Sequence, residues 1–356
     1  MESTQGKHSA APRRRFSRRK KRLKKILRIV LTDLFCIGLG LIVFALFHHV
    51  IRFAPKNEPV QLPAATAAVA APTPEPVAET VPPEESEPPV EATPARVYSG
   101  VWGERFAEHF TDGEVLITED SYRSENICIT VRTVEEDGIC YHVADIYISD
   151  LKYLRAGLGN GMYWAGTQPT LAQARQNDAL VAISGDHYSG RNEGVVVRNG
   201  VLYRETRFAD VCILGYDGVM YTVTDGDFDL EAVREQGVWQ VWSFGPMLLR
   251  DGHAMTEFNS ELWRANPRSA IGYYEPGHYC FVQVDGRDKN NSRGMTLEEL
   301  SLLFEDLGCT AAYNLDGGQS SGFAWMGELL SYPYGRNVSD IIYIAEVPEE
   351  SEGEGA

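Results

Sequence analysis

Residues 311–322 read AAYNLDGGQSSG, an apolar approach that turns at once into an amide, a carboxylate, two glycines, a second amide and two hydroxyls. The first part suits a buried strand and the second a loop at its end. Paired glycines at Gly317 and Gly318 let backbone N–H groups turn toward a ligand with no Cβ in the way, and such a nest binds anions. Ser320 and Ser321 add hydroxyl donors. Asp316 is the odd member, because a carboxylate beside an anion nest is repulsive unless it serves a cation, a sugar hydroxyl or a reacting centre. In isolation the stretch also reads as a tight turn closed by an Asx bond.

The same pattern recurs outward from this stretch. The apolar run ALVAIS, residues 179–184, ends in Gly185-Asp186-His187-Tyr188-Ser189-Gly190. His187 is the only histidine beside a candidate site, and a structural role and a substrate contact both stay open for it. NPRSAIG, residues 266–272, sets Arg268 at a strand entrance, where a planar guanidinium suits phosphate or carboxylate. FVQVDGRD ends another apolar run with Asp285 and Arg287, and Arg336 precedes the last one, DIIYIAEV. Any one of these is a common surface turn or structural ion pair. Several strand ends carrying Asp and Arg together suit a neutral sugar joined to an anionic phosphate.

From about residue 98 to 346 the chain reads as one folded domain. Strands are expected at NICITVRT, CYHVADIYI, ALVAIS, GVVVRNGVLYR, VCILGY, VMYTV, WQVWSF, SAIGYY, HYCFVQVD, TAAYNL and DIIYIAEV. Few helices interrupt them. The clearest is 296–307, where Thr296 and Glu299 form a capping box, Leu297, Leu300, Phe304 and Leu307 share a face, and Gly308 ends the run. A second, similarly capped, is expected at 170–177. No repeat of fixed period is present, which argues against a propeller or solenoid. The expected class is α+β, a largely mixed sheet with packed helices.

Charge is divided sharply along the chain. Residues 1–54 hold thirteen Lys and Arg against Glu2 and Asp33, so the remainder carries −28 of a total of −17. The basic run RRRFSRRKKRLKK is followed by ILRIVLTDLFCIGLGLIVFALF, long enough to cross roughly 30 Å of hydrocarbon. A basic tail (1–28), an uncleaved transmembrane anchor (29–52) and a Pro/Ala/Glu-rich linker (53–97) are therefore expected, with an acidic disordered tail at 347–356. Basic residues crowd the amino side, with only Arg52 and Lys56 close behind the apolar run, so the tail is expected in the cytoplasm and the domain outside. Nucleic acid is excluded as a partner by the acidity of that domain.

Five of the six cysteines lie outside the anchor, an odd number with no CxxC pair. Isolated buried thiols are favoured over a disulfide, and neither a metal site nor a cofactor is expected. Asp225, Asp227, Asp229 and Glu231 alternate as in a calcium loop, but the glycine is misplaced, so a solvated turn is expected. Trp239, Trp242, Trp263 and Trp325 are expected in the core rather than stacked on sugars. GLGNGMYW lacks the spacing of a dinucleotide site.

The ordered series ISGDHY, FGPMLL, NPRSAIGY, VQVDGR, GMTLEELSLLFEDLGC, YNLDGGQSS and GRNVSDIIYI resembles the phosphodiester glycosidases, typified by N-acetylglucosamine-1-phosphodiester alpha-N-acetylglucosaminidase, over roughly residues 175–345. The Gly185-Asp186-His187-Tyr188 stretch is similar to bacterial members, where the vertebrate enzyme has Asn-Gly with aromatics, and Gln319 replaces a third glycine often seen after LDGG. The resemblance implies hydrolysis of an anomeric bond to a phosphodiester oxygen on a surface or exopolysaccharide glycan. It assigns phosphate binding to Arg268, with Arg336 or Arg287, and to the cradle of Gly317, Gly318, Ser320 and Ser321. Asp316 and Asp186 become the carboxylates that stabilise the anomeric cation or activate water, with Asp285 beside them. His187, Tyr188, Asn314 and Gln319 become substrate contacts. A noncatalytic glycan-binding protein and a metal-dependent phosphodiesterase are the rival readings.

Overall fold

The computed structural model describes residues 13–45, 58–64, 100–288 and 290–347. Among the described residues the amino-terminal unit is one helix, Arg13–Ala45. Its stretch Lys21–Phe44 is 24 residues long and apolar enough to cross a membrane, a rise of roughly 36 Å against a hydrocarbon core of about 30 Å. Residues 1–12 of the expected basic tail, 46–52 of the anchor, 53–57 and 65–97 of the linker, and 348–356 of the acidic tail lie outside the described residues.

The carboxyl-terminal unit is α+β and strand-rich, as expected. All eleven predicted strand segments form strands, divided among sheets of six, seven and five strands, and a separate hairpin, Leu249–Arg250 with His253–Ala254, adds to them. Every pairing of these strands is antiparallel, so three antiparallel sheets stand where mixed strand directions were expected. Hairpin turns account for much of this. Asn199 and Gly200 take positive φ angles of 51° and 79°, the two-residue turn whose twist matches flanking antiparallel strands, here Val196–Arg198 and Val201–Arg204. The expected linker departs from expectation at one place: Val60 and Gln61 pair with Leu202 and Val201, and Leu62 is buried beside them.

The largest core gathers Ile146, Ile183, Phe281, Tyr313, Phe323 and Ile342, from strands of the seven- and five-stranded sheets. The opposite face of the seven-stranded sheet buries Ala270, Cys280, Val282 and Ala312 with Leu297, Leu300 and Phe304. These last three belong to the helix Leu297–Asp306, whose capping box is present. Each such apolar side chain contributes about 1.5–3 kcal/mol when fully buried. The helix Thr170–Gln176 forms without the expected side-chain cap, since Pro169 stands at its N-cap. In the acid alternation at 225–231, Asp229 caps the helix Leu230–Gln236, which the sequence reading missed. Trp242 and Trp325 are core, Trp239 packs partly buried against it, and Trp263 is exposed, contrary to expectation. The five cysteines of the domain are free and buried, with Cys280 and Cys309 Sγ atoms 3.6 Å apart.

Candidate active site

Two strands from different sheets end side by side. Val181–Ser184 belongs to the five-stranded sheet and Ala311–Asn314 to the seven-stranded one. The loops beyond them are tied by a hydrogen bond from Asp316 N to Gly185 O (2.9 Å) and one from Ser184 Oγ to Asp316 O (3.0 Å). Strand Arg268–Glu275 adjoins the second, and Leu315 N and Gly318 N donate to Ser269 O and Pro267 O. The sheets thus deliver the quoted motifs to one place.

Here a small pocket of about 170 Å³ opens, lined by Phe244, Leu262, Asn266, Pro267, Arg268, Arg287, Leu315, Asp316, Gly317, Gly318, Gln319 and Arg336. Gly317 is required by close approach, since a Cβ would stand 2.6 Å from Pro267 O; Gly318 has φ +62° and faces the Arg287 guanidinium. Larger clefts exist, one of about 440 Å³ beside Tyr221 and Thr310, but no predicted site residue lines it.

Asp316 is the carboxylate of the pocket. Its oxygens accept from Arg336 Nη2 at 3.0 and 3.3 Å, and His187 Nδ1 lies 3.3 Å from Oδ2. Arg336 also donates to Ser320 Oγ. Both partners are roughly half exposed while Asp316 is buried, so they stand between the carboxylate and solvent. Arg287, held at Asn266 Oδ1 (2.8 and 3.2 Å), is exposed on the opposite rim. Arg268 is buried, with Nε and Nη2 donating to the carbonyls of Met295, Leu262 and Arg264. Burial, and then the charge of Arg287, lower its pKa to about 10.

Other predicted residues fall elsewhere. Asp186 is fully buried, accepting from His187 N, Ser243 N and Arg191, with Arg198 Nη2 at 3.5 Å. It therefore positions Ser243 and the neighbouring pocket wall Phe244 and is not among the lining residues. Asp285 is buried and takes hydrogen bonds from Gln283 and from Tyr332 N. Tyr188 is buried with its hydroxyl on Ser339 O, and Asn314 is buried holding Gly245 O. Ser321 is buried and donates to Arg268 O, so it braces the loop from behind. The Gly318 N–H is likewise spent on Pro267 O, which leaves the expected nest smaller than the sequence suggested.

Sequence reasoning missed Phe244, Leu262 and Pro267 as pocket walls, and missed Arg198 altogether. Arg198 is buried, bonded to Asp340 (2.6 Å) and to the carbonyls of Val197 and Val241. A lone arginine in the apolar run GVVVRNGV was the available signal, because a cation in a buried strand needs a carboxylate partner.

Residues 177–345, a little under half of the chain, match the family model described as phosphodiester glycosidase. The SPbeta prophage-derived uncharacterized protein YomE of Bacillus subtilis (strain 168) is 31% identical over 190 residues, covering 51% of this chain and 29% of that protein. The chain thus spans less than a third of that relative's length. The solved catalytic domain of zebrafish N-acetylglucosamine-1-phosphodiester alpha-N-acetylglucosaminidase, auto-inhibited by its pro-peptide, superposes with a TM-score of 0.50 at 21% identity, over 62% of this chain and 83% of that one. A hypothetical protein from Synechocystis gives a TM-score of 0.42 at 18% identity, over 62% of each chain. At these identities the structural likeness speaks for the fold alone. All the site residues from Asp186 to Arg336 lie within the segment homologous to the phosphodiester glycosidases.

Proposed function

We propose that the chain is a membrane-anchored glycoside hydrolase that cleaves the anomeric C–O bond of sugar-1-phosphodiesters on surface or exopolysaccharide glycans. The observation that carries this reading is the pocket itself, a single carboxylate, Asp316, set between the exposed guanidinium groups of Arg287 and Arg336 at a glycine-rich strand end. The two arginines bind the phosphodiester, with Gly317, Gly318 and Gln319 forming the floor beneath it. Arg268 fixes the rim at Leu262 and Arg264. As the anomeric bond breaks, its electron pair moves to the phosphate oxygen, and the arginines stabilise the charge gathering there. Less is then asked of a general acid than in ordinary glycosidases.

Asp316 stabilises the anomeric cation, and with His187 it draws the proton from the water that completes the reaction. A general base in this role has to come within hydrogen-bond reach of that water. The products are a free sugar and a phosphomonoester. Basic residues on the amino side of the helix keep that end in the cytoplasm and put the domain on the other side.

The test is incubation of the full chain in detergent with UDP-N-acetylglucosamine and a panel of sugar-1-phosphate diesters, with product identity read by chromatography. Free sugar is expected. Sugar-1-phosphate would mean P–O cleavage and a phosphodiesterase, and saturable binding without product would mean a glycan-binding protein.

A further inference from the structure

Beside the pocket, strands Ile139–Ile148 and His278–Val284 bring four donor side chains to one face of the seven-stranded sheet. Gln283 is the cross-strand partner of His142, and Asp285 N donates to Cys140 O at 2.9 Å, one step further along the same pair. Alternate residues of a strand share a face, and directly opposed residues share it across the ladder. Cys140, His142, Gln283 and Asp285 therefore form a square. Donor atoms of Cys140, His142 and Asp285 lie within 4.8 Å of one another, and His142 Nε2 stands 3.9 Å from Asp285 Oδ2. None of the four residues is more than 5% exposed.

Two atoms of this square are left without a hydrogen-bond partner: His142 Nε2 and Gln283 Oε1. Both can accept, and buried acceptors are seldom left unpaired. The other ring nitrogen of His142 sits 2.8 Å from Thr133 Oγ1. A proton on that nitrogen leaves the Nε2 lone pair facing Asp285 and Cys140, the way an outer hydrogen bond orients a metal-ligating histidine. His142 is also the only ion-pair partner of Asp285 among the described residues. One sulfur, one imidazole and one carboxylate is a donor set suited to zinc, and a thiolate with a carboxylate neutralises a divalent charge without leaving a net buried one.

We propose that Cys140, His142 and Asp285 bind one zinc ion, with Gln283 Oε1 facing its fourth position. Binding forms the S–Zn bond as the Cys140 thiol releases its proton to solvent, and no electron changes hands. The role is structural. Gln283 Nε2 donates to Ser321 Oγ (3.0 Å) and Ser321 Oγ to Arg268 O (2.8 Å), so the ion fixes the floor on which the Gly317–Gly318 loop rests. This inference is independent of the proposed activity and survives if that activity fails.

The test uses the full chain in detergent, stripped with a chelator, dialysed against zinc chloride and assayed for retained metal, then reloaded with cobalt(II) for its absorption spectrum. One zinc per chain is expected, and the cobalt form should show a thiolate-to-metal charge-transfer band. Cys140→Ser and His142→Gln should each weaken zinc retention by at least about tenfold, and Cys140→Ser should abolish the band. No retained zinc in the wild type, a cobalt spectrum without the thiolate band, or retention undiminished in both variants would each overturn the proposal. The wild-type spectrum decides the matter even if a variant does not fold.

Discussion

Two strand ends of this molecule look alike in sequence and behave differently in space. Val181–Ser184 runs into Gly185-Asp186, and Ala311–Asn314 runs into Leu315-Asp316. Asp186 is closed in by two backbone N–H groups, the guanidinium of Arg191 and the fully buried Arg198. Asp316 is nearly as buried but held by side chains alone, Arg336 and His187, which stand roughly half in solvent. The two carboxylates thus differ in the exposure of the groups that hold them, buried around Asp186 and about half in solvent at Asp316. Burial alone does not distinguish them.

Asp316→Asn gives the largest effect this comparison predicts. The amide keeps the volume and loses the charge, so turnover of the sugar phosphodiester should fall by about 10²–10⁴-fold, while stability changes by less than about 1 kcal/mol because the lost ion pairs are half exposed. Steady-state kinetics beside urea denaturation reads both. A variant that lost stability without losing turnover would make Asp316 another Asp186.

Arg198→Leu strikes the other strand end. It removes the cation shared by Asp186 and Asp340 and leaves two buried carboxylates to repel each other, which should cost about 3–5 kcal/mol of stability. The urea midpoint of the full chain measures it. A midpoint close to wild type would mean that water reaches this cluster and that the contrast between the two loops is false.

How far the sequence could carry this contrast depends on the residue. Thr296 with Glu299 announced a helix start, because that signal acts over a few bonds, whereas GVVVRNGVLYR was read as one strand and is a hairpin turning at Asn199-Gly200. Asp186 and Asp316 carried the same local signal, and their difference comes from Arg198, Ser243 and Arg336, far away in the chain. Ser320 and Ser321 looked like ligand donors for the same reason, and the fold turns both inward. His142 and Gln283 gave no motif because their square is assembled across strands.

The smallest effect concerns proton uptake in the Arg198 cluster, and it divides the two carboxylates that share this arginine. Burial acts to raise Asp186, but Arg191, Arg198 and the Ser243 N–H outweigh it and hold its pKa below the ordinary value. Asp340 goes the other way: burial, with the nearby charge of Asp186, raises it from 3.8 to about 6 against the pull of Arg198. Between these two values the folded chain holds a proton that the unfolded chain has released. Stability from this group is therefore greatest near pH 4 and declines as pH rises through 6, by on the order of 1–3 kcal/mol. Asp186 has the opposite sense, since its contribution is full above its unfolded pKa and lost only in stronger acid. Urea midpoints of wild type and Asp340→Asn, compared from pH 4 to pH 7, should show a downward slope in the first that flattens in the second. Parallel curves would mean that Asp340 stays ionised like Asp186, and the cluster would then hold two carboxylates against Arg191 and Arg198.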